Sequence, residues 1–151
     1  MLRLFNCLTN QHDWRFVLLA AVVCAGGIAT ALVLIGLGKH ASRRGQRLYS
    51  LSGAMVLALS IWATHFIAMV GYESGVTVSY APWGTLASLA IAVLGLTTCV
   101  FLARGGASRG RRIVGGLTAV TSIAAMHFVG VAAVTMAGAR VVYHPLSLIH
   151  I

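Results

Sequence analysis

The stretch LSGAMVLALSIWATHFIAMV, residues 51–70, holds twenty consecutive residues without an Asp, Glu, Lys or Arg. A bilayer core about 30 Å thick needs roughly 20 predominantly apolar residues in one helix. The stretch therefore predicts a transmembrane helix. It also contains His65, and an ionisable ring at that depth is costly and indicates a functional site.

Three further apolar runs of similar length accompany this one. The chain of 151 residues is 59% hydrophobic and 9% charged, whereas soluble domains carry about 25% charged residues. The four predicted helices cover residues 14–37, 48–71, 83–103 and 113–136. The first run exceeds the apolar core of a signal peptide, about 7–15 residues, so we expect it to remain in the protein. The predicted fold class is an all-α membrane protein, a four-helix bundle in the lipid bilayer.

The positive charge is concentrated in two short segments. The formal net charge is +9, and eight of the eleven basic residues fall within residues 38–47 and 104–112. The positive-inside rule makes these two loops cytoplasmic and places the N-terminus and the Glu73 loop outside. This distribution is typical of a topology signal in a multi-pass membrane protein, and it argues against a nucleic-acid partner.

Residues 51–70 recur as IVGGLTAVTSIAAMHFVGVA, residues 113–132, at a constant offset of 62 and without a gap. Six of the twenty positions are identical in the two copies: Gly53/Gly115, Ser60/Ser122, Ile61/Ile123, Ala63/Ala125, His65/His127 and Phe66/Phe128. The preceding helices match more weakly, through Trp14 and Trp83 near their starts. The pattern predicts an internal repeat, two helical hairpins in one chain.

The repeat provides His65 with a partner. Because a basic loop precedes each histidine-bearing helix, the two copies run in the same direction across the membrane. His65 precedes Gly71 by six residues, roughly 9 Å of helix, and His127 precedes Met136 by nine, roughly 14 Å. Small residues before each histidine allow close approach of the helices. We therefore expect the two histidines at one level, in the outer half of the membrane.

The residues around the histidines favour a soft metal ion over catalysis. No buried carboxylate or lysine accompanies them, so acid–base and nucleophilic chemistry lack their usual groups, and we expect no enzyme. Imidazole with thioether suits copper, particularly Cu(I). Met69 shares a helix face with His65, and Tyr72 lies one further turn along. Met126 adjoins His127 but points about 100° away from it. Plain packing is the alternative for both methionines.

These residues resemble the MHYT sensor domain, a family named after a Met-His-Tyr-Thr motif near the outer ends of alternate transmembrane helices. AMHFVG, residues 125–130, keeps the Met-His pair. WATHFIAM, residues 62–69, is similar to a related form of the motif, with Thr64 where methionine is usual. The resemblance covers residues 1–140. Residues 141–151 are predicted to be a tail or the truncated start of a further helix.

The resemblance implies a bacterial membrane sensor that binds copper and thereby senses oxygen, carbon monoxide, nitric oxide or redox state. The implied ligands are His65, Met69, Met126 and His127. The family usually has three motifs and six or more helices, so the bundle is expected to be incomplete, with a cytoplasmic output domain outside this sequence. The alternatives are a bis-histidine haem protein and a non-sensory structural or transport subunit whose histidines hold helices together.

Overall fold

The computed structural model describes residues 13–71, 78–104 and 107–136. The elements along the chain are α1 (Trp14–Gly38), α2 (Arg43–Val70), β1 (Val78–Tyr80), α3 (Pro82–Ala103), α4 (Arg109–Ala132) and β2 (Val134–Met136). All four helices are long and apolar enough to cross a membrane. The predicted fold class, a four-helix membrane bundle, is confirmed.

Helices α2 and α4 begin earlier than hydropathy predicts. They start at Arg43 and Arg109, five and four residues before the predicted starts at 48 and 113. Ser42 and Ser108 cap them by accepting hydrogen bonds from backbone N–H groups of the first turn, as serine commonly does. Hydropathy locates the apolar residues that can cross the membrane, whereas each of these helices begins before its apolar run. Six of the basic residues assigned to cytoplasmic loops therefore lie on the first two turns of these helices.

The fourth helix ends at Ala132, so the predicted end at Met136 is wrong. The residues that follow form β2, which pairs antiparallel with β1 in the register Val78↔Met136, Ser79↔Thr135 and Tyr80↔Val134. Valine and threonine favour extended backbone, so these residues form a strand although they continue the apolar run of the helix. This two-stranded ribbon links the end of α4 to the start of α3.

Helix α2 packs against each of the other three helices. Within the hairpins α1 packs against α2 and α3 against α4, while α2 and α3 form the main contact between hairpins. Ala58, Ala92, Leu96 and Met126 form the buried core where the hairpins meet. Only 11–22% of the most apolar part of each helix is buried inside the bundle, so most of the apolar surface faces outward, where lipid covers it.

Equivalent hydrogen bonds close the two hairpins. The Asp13 backbone N–H donates to the Gly71 carbonyl oxygen at 2.9 Å, and the Ala81 N–H donates to the Ala133 carbonyl oxygen at 2.7 Å. Each bond ties the start of the first helix of a hairpin to the residue that follows its second helix. The sequence repeat is therefore also a structural repeat.

A glycine in the first helix of each hairpin faces a serine in the second. A Cβ added at Gly27 would overlap the Ser60 side chain, and a Cβ added at Gly95 would overlap that of Ser122. In both hairpins the missing side chain lets the second helix approach closely, as small residues do in membrane bundles.

The first helices of the hairpins correspond at an offset of 68 residues, as 27 to 95 and 13 to 81 show. The sequence match of Trp14 with Trp83 is therefore one residue out of register. Tryptophan near the end of a membrane helix is placed by the water–lipid interface, whereas helix packing fixes the glycines. The packing contacts define the repeat more closely than the aromatic residues do.

Candidate functional site

His65 of α2 and His127 of α4 meet where the two hairpins approach each other. Their Nδ1 atoms are 3.2 Å apart, and their ring centroids are 4.8 Å apart with the planes at 75°. Each histidine lies five residues before the last residue of its helix, from 65 to 70 and from 127 to 132. The predicted pairing at one level is confirmed, and the early end of α4 removes the depth difference expected from the sequence.

The contact between the two rings has a chemical requirement. A hydrogen bond between two ring nitrogens needs one Nδ1 that carries a proton and one that offers a lone pair. Two neutral imidazoles can satisfy this only with opposite tautomers. The pair is therefore either a hydrogen bond between helices or, without the shared proton, two nitrogen donors for a metal ion.

Gly130 of α4 completes one side of the site. The second ring nitrogen of His65, Nε2, is buried and has no hydrogen-bond partner among the described residues. An ideal Cβ on Gly130 would lie 2.6 Å from that nitrogen. Sequence reasoning missed this residue, although the offset of 62 aligns Gly130 with Ala68 and so shows a small difference between the copies.

Aromatic side chains form a wall beside His65. The Phe66 ring lies edge-on to the His65 ring with the centroids 5.0 Å apart. Trp62 and Tyr80 flank Phe66, with centroid distances of 4.8 and 5.6 Å. Tyr80 belongs to β1, so the ribbon reaches the wall of the site. Burial raises the pKa of the Tyr80 hydroxyl, which therefore stays protonated at neutral pH.

The two methionines occupy different surroundings. Met126 is 2% exposed and packs with Ala58, Ala92 and Leu96 in the core, a position that suits packing. Met69 is half-buried and lies one turn beyond His65 toward the end of α2. Their roles as metal ligands stay predictions. Tyr72, which could close the site, lies outside the described residues.

The hydroxyl groups near the histidines serve the helix backbone. Ser60 donates to the Val56 carbonyl oxygen, and Thr64 donates to the Ser60 carbonyl oxygen, both at 2.7 Å. Ser122 of α4 makes the same kind of bond, also at 2.7 Å. Bonds of this type satisfy the hydroxyl within its own helix. The hydroxyls therefore have a structural role here, and none of these hydroxyl hydrogen bonds reaches an imidazole.

A polar contact between α2 and α3 supports the aromatic wall. The Trp62 Nε1–H donates to Ser88 Oγ at 3.1 Å, and Ser88 is fully buried. We expect Trp62→Phe to lower the free energy of unfolding by about 0.6–1.7 kcal/mol, from the average to the maximum measured for hydrogen bonds between membrane helices, plus a smaller packing loss. Thermal unfolding in detergent measures the change.

A double-mutant cycle isolates this bond. Ser88→Ala should cost a similar amount, because the Trp62 N–H loses its acceptor. The double variant Trp62→Phe/Ser88→Ala should cost less than the sum of the single changes, since both polar groups are then absent. Strictly additive losses would show that the contact contributes no pairwise energy.

The donor atoms that the structure brings together are few. Among the residues described, no group of three or more His, Cys, Asp or Glu could hold a metal ion. Two nitrogens that bind one ion at about 2.0–2.1 Å each, as imidazoles bind zinc, are at most about 4.2 Å apart. The 3.2 Å between the Nδ1 atoms therefore permits both to bind the same ion. Two imidazoles, with a thioether available nearby, suit a soft ion of low coordination number such as Cu(I).

The comparisons with known proteins point to bacterial signalling. The MHYT family model, described as a bacterial signalling protein N-terminal repeat, matches residues 59–116. An uncharacterized signaling protein of Caulobacter vibrioides is 37% identical over 142 residues, which are 94% of this chain and 18% of that protein. The signaling protein YkoW of Bacillus subtilis is 23% identical over 101 residues, 66% of this chain and 12% of YkoW.

A relative with a named activity also matches. The bifunctional diguanylate cyclase/cyclic di-GMP phosphodiesterase MucR of Pseudomonas aeruginosa is 31% identical over 140 residues, 92% of this chain and 20% of MucR. The chain thus spans no more than about a fifth of the length of the curated relatives it matches. No solved structure matches the chain. The likeness supports a signalling context, and the activities in the name MucR are properties of that protein.

Proposed function

We propose that this chain, which matches the MHYT repeat of bacterial signalling proteins over residues 59–116, is a membrane-embedded sensory module without catalysis of its own. The observation that carries the proposal is the contact of His65 with His127, at 3.2 Å between Nδ1 atoms inside an apolar bundle. Ionisable residues within membrane spans are rare and functional by default. Two of them, contributed by the two repeats and facing each other, form a site with a specific chemistry.

The proposed cofactor is copper, held by the two Nδ1 atoms. Met69 is the better placed of the two predicted thioether ligands, because it is half-buried on the helix that carries His65, whereas Met126 is enclosed by apolar side chains. A bound copper ion would supply a redox centre and a coordination position for a small ligand. Oxygen, carbon monoxide and nitric oxide are the proposed ligands.

The position of the pair supplies a route for a signal. His65 belongs to the first hairpin and His127 to the second, so a change in their separation acts on the contact between the hairpins. A ligand that favours one separation would shift the population of two packing arrangements. The basic ends of α2 and α4, opposite the histidines, are where a cytoplasmic output domain would receive that shift.

The proposed orientation follows from charge. The basic residues gather at the starts of α2 and α4, and the histidines lie near the ends of the same helices. If the basic ends are cytoplasmic, the pair lies near the outer face of the bacterial inner membrane. A ligand would then reach the site from the outside or through the lipid.

The haem alternative is less consistent with the geometry. A bis-histidine haem places the macrocycle between the two imidazoles. Here the rings touch edge to face, with centroids 4.8 Å apart, and leave no space for a planar macrocycle between them. A Soret band in the absorption spectrum of the purified protein would nevertheless show that the protein binds haem.

Copper titration of the purified protein tests the proposal. We expect one equivalent of Cu(I) per chain to survive competition with a chromogenic chelator under anaerobic conditions, while Zn²⁺ and Mn²⁺ bind more weakly, because a soft donor set favours Cu(I). Exposure of the loaded protein to carbon monoxide should then change the infrared spectrum. A protein that retains no Cu(I) above an empty-detergent control would contradict the copper site.

A further inference from the structure

We propose that Gly130 positions the histidine pair by holding the His65 ring in a single tautomer, with the proton on Nδ1 donated to His127 and an unprotonated Nε2 against α4. This inference concerns the protein without metal. It makes Gly130 a positioning residue of the site, and it assigns which nitrogen of His65 donates to His127.

The first step is steric. An ideal Cβ on Gly130 would lie 2.6 Å from His65 Nε2 and 3.0 Å from its Cδ2. The same Cβ would lie 3.5 Å from Cζ of Phe66, an ordinary van der Waals distance, so the overlap is with the His65 ring alone. Any side chain at position 130 must therefore displace the His65 ring, and glycine is the residue that permits the observed contact.

The second step assigns the proton. Nε2 of His65 is buried without a partner among the described residues. Buried N–H donors without an acceptor are rarer in proteins than acceptors with a free lone pair. The neutral ring therefore carries its proton on Nδ1, which donates to Nδ1 of His127 across 3.2 Å. His127 then carries its own proton on Nε2.

The third step is the asymmetry that results. The offset of 62 places Ala68 of the first repeat at the position of Gly130 in the second. The two repeats therefore differ at the residue that contacts the His65 ring. His65 is fixed against α4 with Nε2 enclosed, and its Nδ1 carries the proton that is donated to His127. A metal ion could bind Nδ1 of His65 only after this proton had left it, whereas Nδ1 of His127 already has a lone pair, so the two histidines are not interchangeable.

The test is nuclear magnetic resonance of the full chain in lipid nanodiscs, with ring-15N histidine, at pH 8 and without metal. Correlations between ring nitrogens and carbon-bound protons distinguish the tautomers, and the variant His65→Gln assigns the signals. We expect His65 with a protonated Nδ1 and His127 with a protonated Nε2. In Gly130→Ala we expect His65 to lose this single-tautomer pattern.

Gly116→Ala is the matched control, because Gly116 lies on the same helix with no atom within 4 Å of its added Cβ. Its spectrum should equal that of the unmodified chain. An unchanged His65 spectrum in Gly130→Ala would overturn the positioning role. A protonated Nε2 on His65 in the unmodified chain would overturn the tautomer assignment even if Gly130→Ala fails to fold. Since no metal is present, neither result depends on the copper proposal.

Discussion

A variant in which both His65 and His127 are replaced by alanine is expected to lose Cu(I) binding, with the affinity reduced by more than about 100-fold. Changes to groups that merely support metal ligands already cost about 10–100-fold, and this variant removes both nitrogen donors. The two rings are the donors that the structure brings within 3.2 Å of each other. A remaining thioether would be left without a nitrogen partner.

Competition with a chromogenic Cu(I) chelator, under anaerobic conditions in detergent, measures this loss. Circular dichroism of the same samples shows whether the variant keeps its helices. His40→Ala is a matched control, because His40 lies between α1 and α2 and outside the pair; its copper binding should be unchanged. Met69→Leu should weaken binding, whereas Met126→Leu should alter stability more than copper affinity, since Met126 belongs to the apolar core.

Equal copper retention by the double alanine variant would contradict the site. If that variant stays helical but its hairpins separate, the histidines act as a hydrogen bond between helices, and the structural alternative is favoured. A signalling defect in a stably folded single variant would count against that alternative. The three outcomes distinguish a metal site, a structural contact and a wrong assignment.

Gly27→Ala is expected to destabilise the first hairpin by about 1–3 kcal/mol, the usual cost of inserting a methyl group into a packed interior. The added Cβ would overlap the Ser60 side chain, so α1 and α2 must move apart. The change opposes intrinsic propensity, because alanine is favoured over glycine in helices by about 1 kcal/mol. A loss of stability would therefore come from the contact between helices. Gly95→Ala, which meets Ser122 in the second hairpin, should have a similar effect.

Thermal unfolding in detergent measures both variants against Gly26→Ala. Gly26 neighbours Gly27, but a Cβ there meets nothing within 4 Å, so this control should be neutral or slightly stabilising. Ser60→Gly combined with Gly27→Ala should recover part of the stability, since it removes the atoms that the new methyl group meets. If Gly27→Ala behaves like Gly26→Ala, the close contact of α1 with α2 is wrong.

Much of the fold could be predicted from the sequence, because its signals are local. Twenty uncharged residues around His65 predict a membrane helix, and the recurrence of that helix 62 residues later predicts the second hairpin. Errors arose where hydropathy does not distinguish helix from strand or cap. It extended the fourth helix through Met136, which belongs to β2, and it missed the turns of α2 and α4 that precede the apolar runs.

The site was predicted in part. The repeat identified His65 and His127, because equivalent positions on parallel helices lie at equal depth. It did not identify Gly130, whose role depends on a ring from another helix. Nor did it identify Tyr80, whose ring reaches Phe66 through the ribbon. The adjacency of Met126 and His127 suggested Met126 as a metal ligand. The structure places the Met126 side chain in the apolar core, and its role as a ligand stays a prediction that copper affinity tests.

The sequence by itself determined that the chain crosses a membrane, that it consists of two repeated hairpins, and that one histidine of each copy lies near the same face. Hydrophobicity, charge and period are properties of consecutive residues, so they are readable without a structure. The tertiary structure decided which atoms meet: Nδ1 with Nδ1 in the histidine pair, and Nε2 of His65 with Gly130. Those contacts depend on how the helices are rotated and how far apart they lie. Gly27, Gly95 and Gly130 set this arrangement jointly, so no single segment of the chain specifies it.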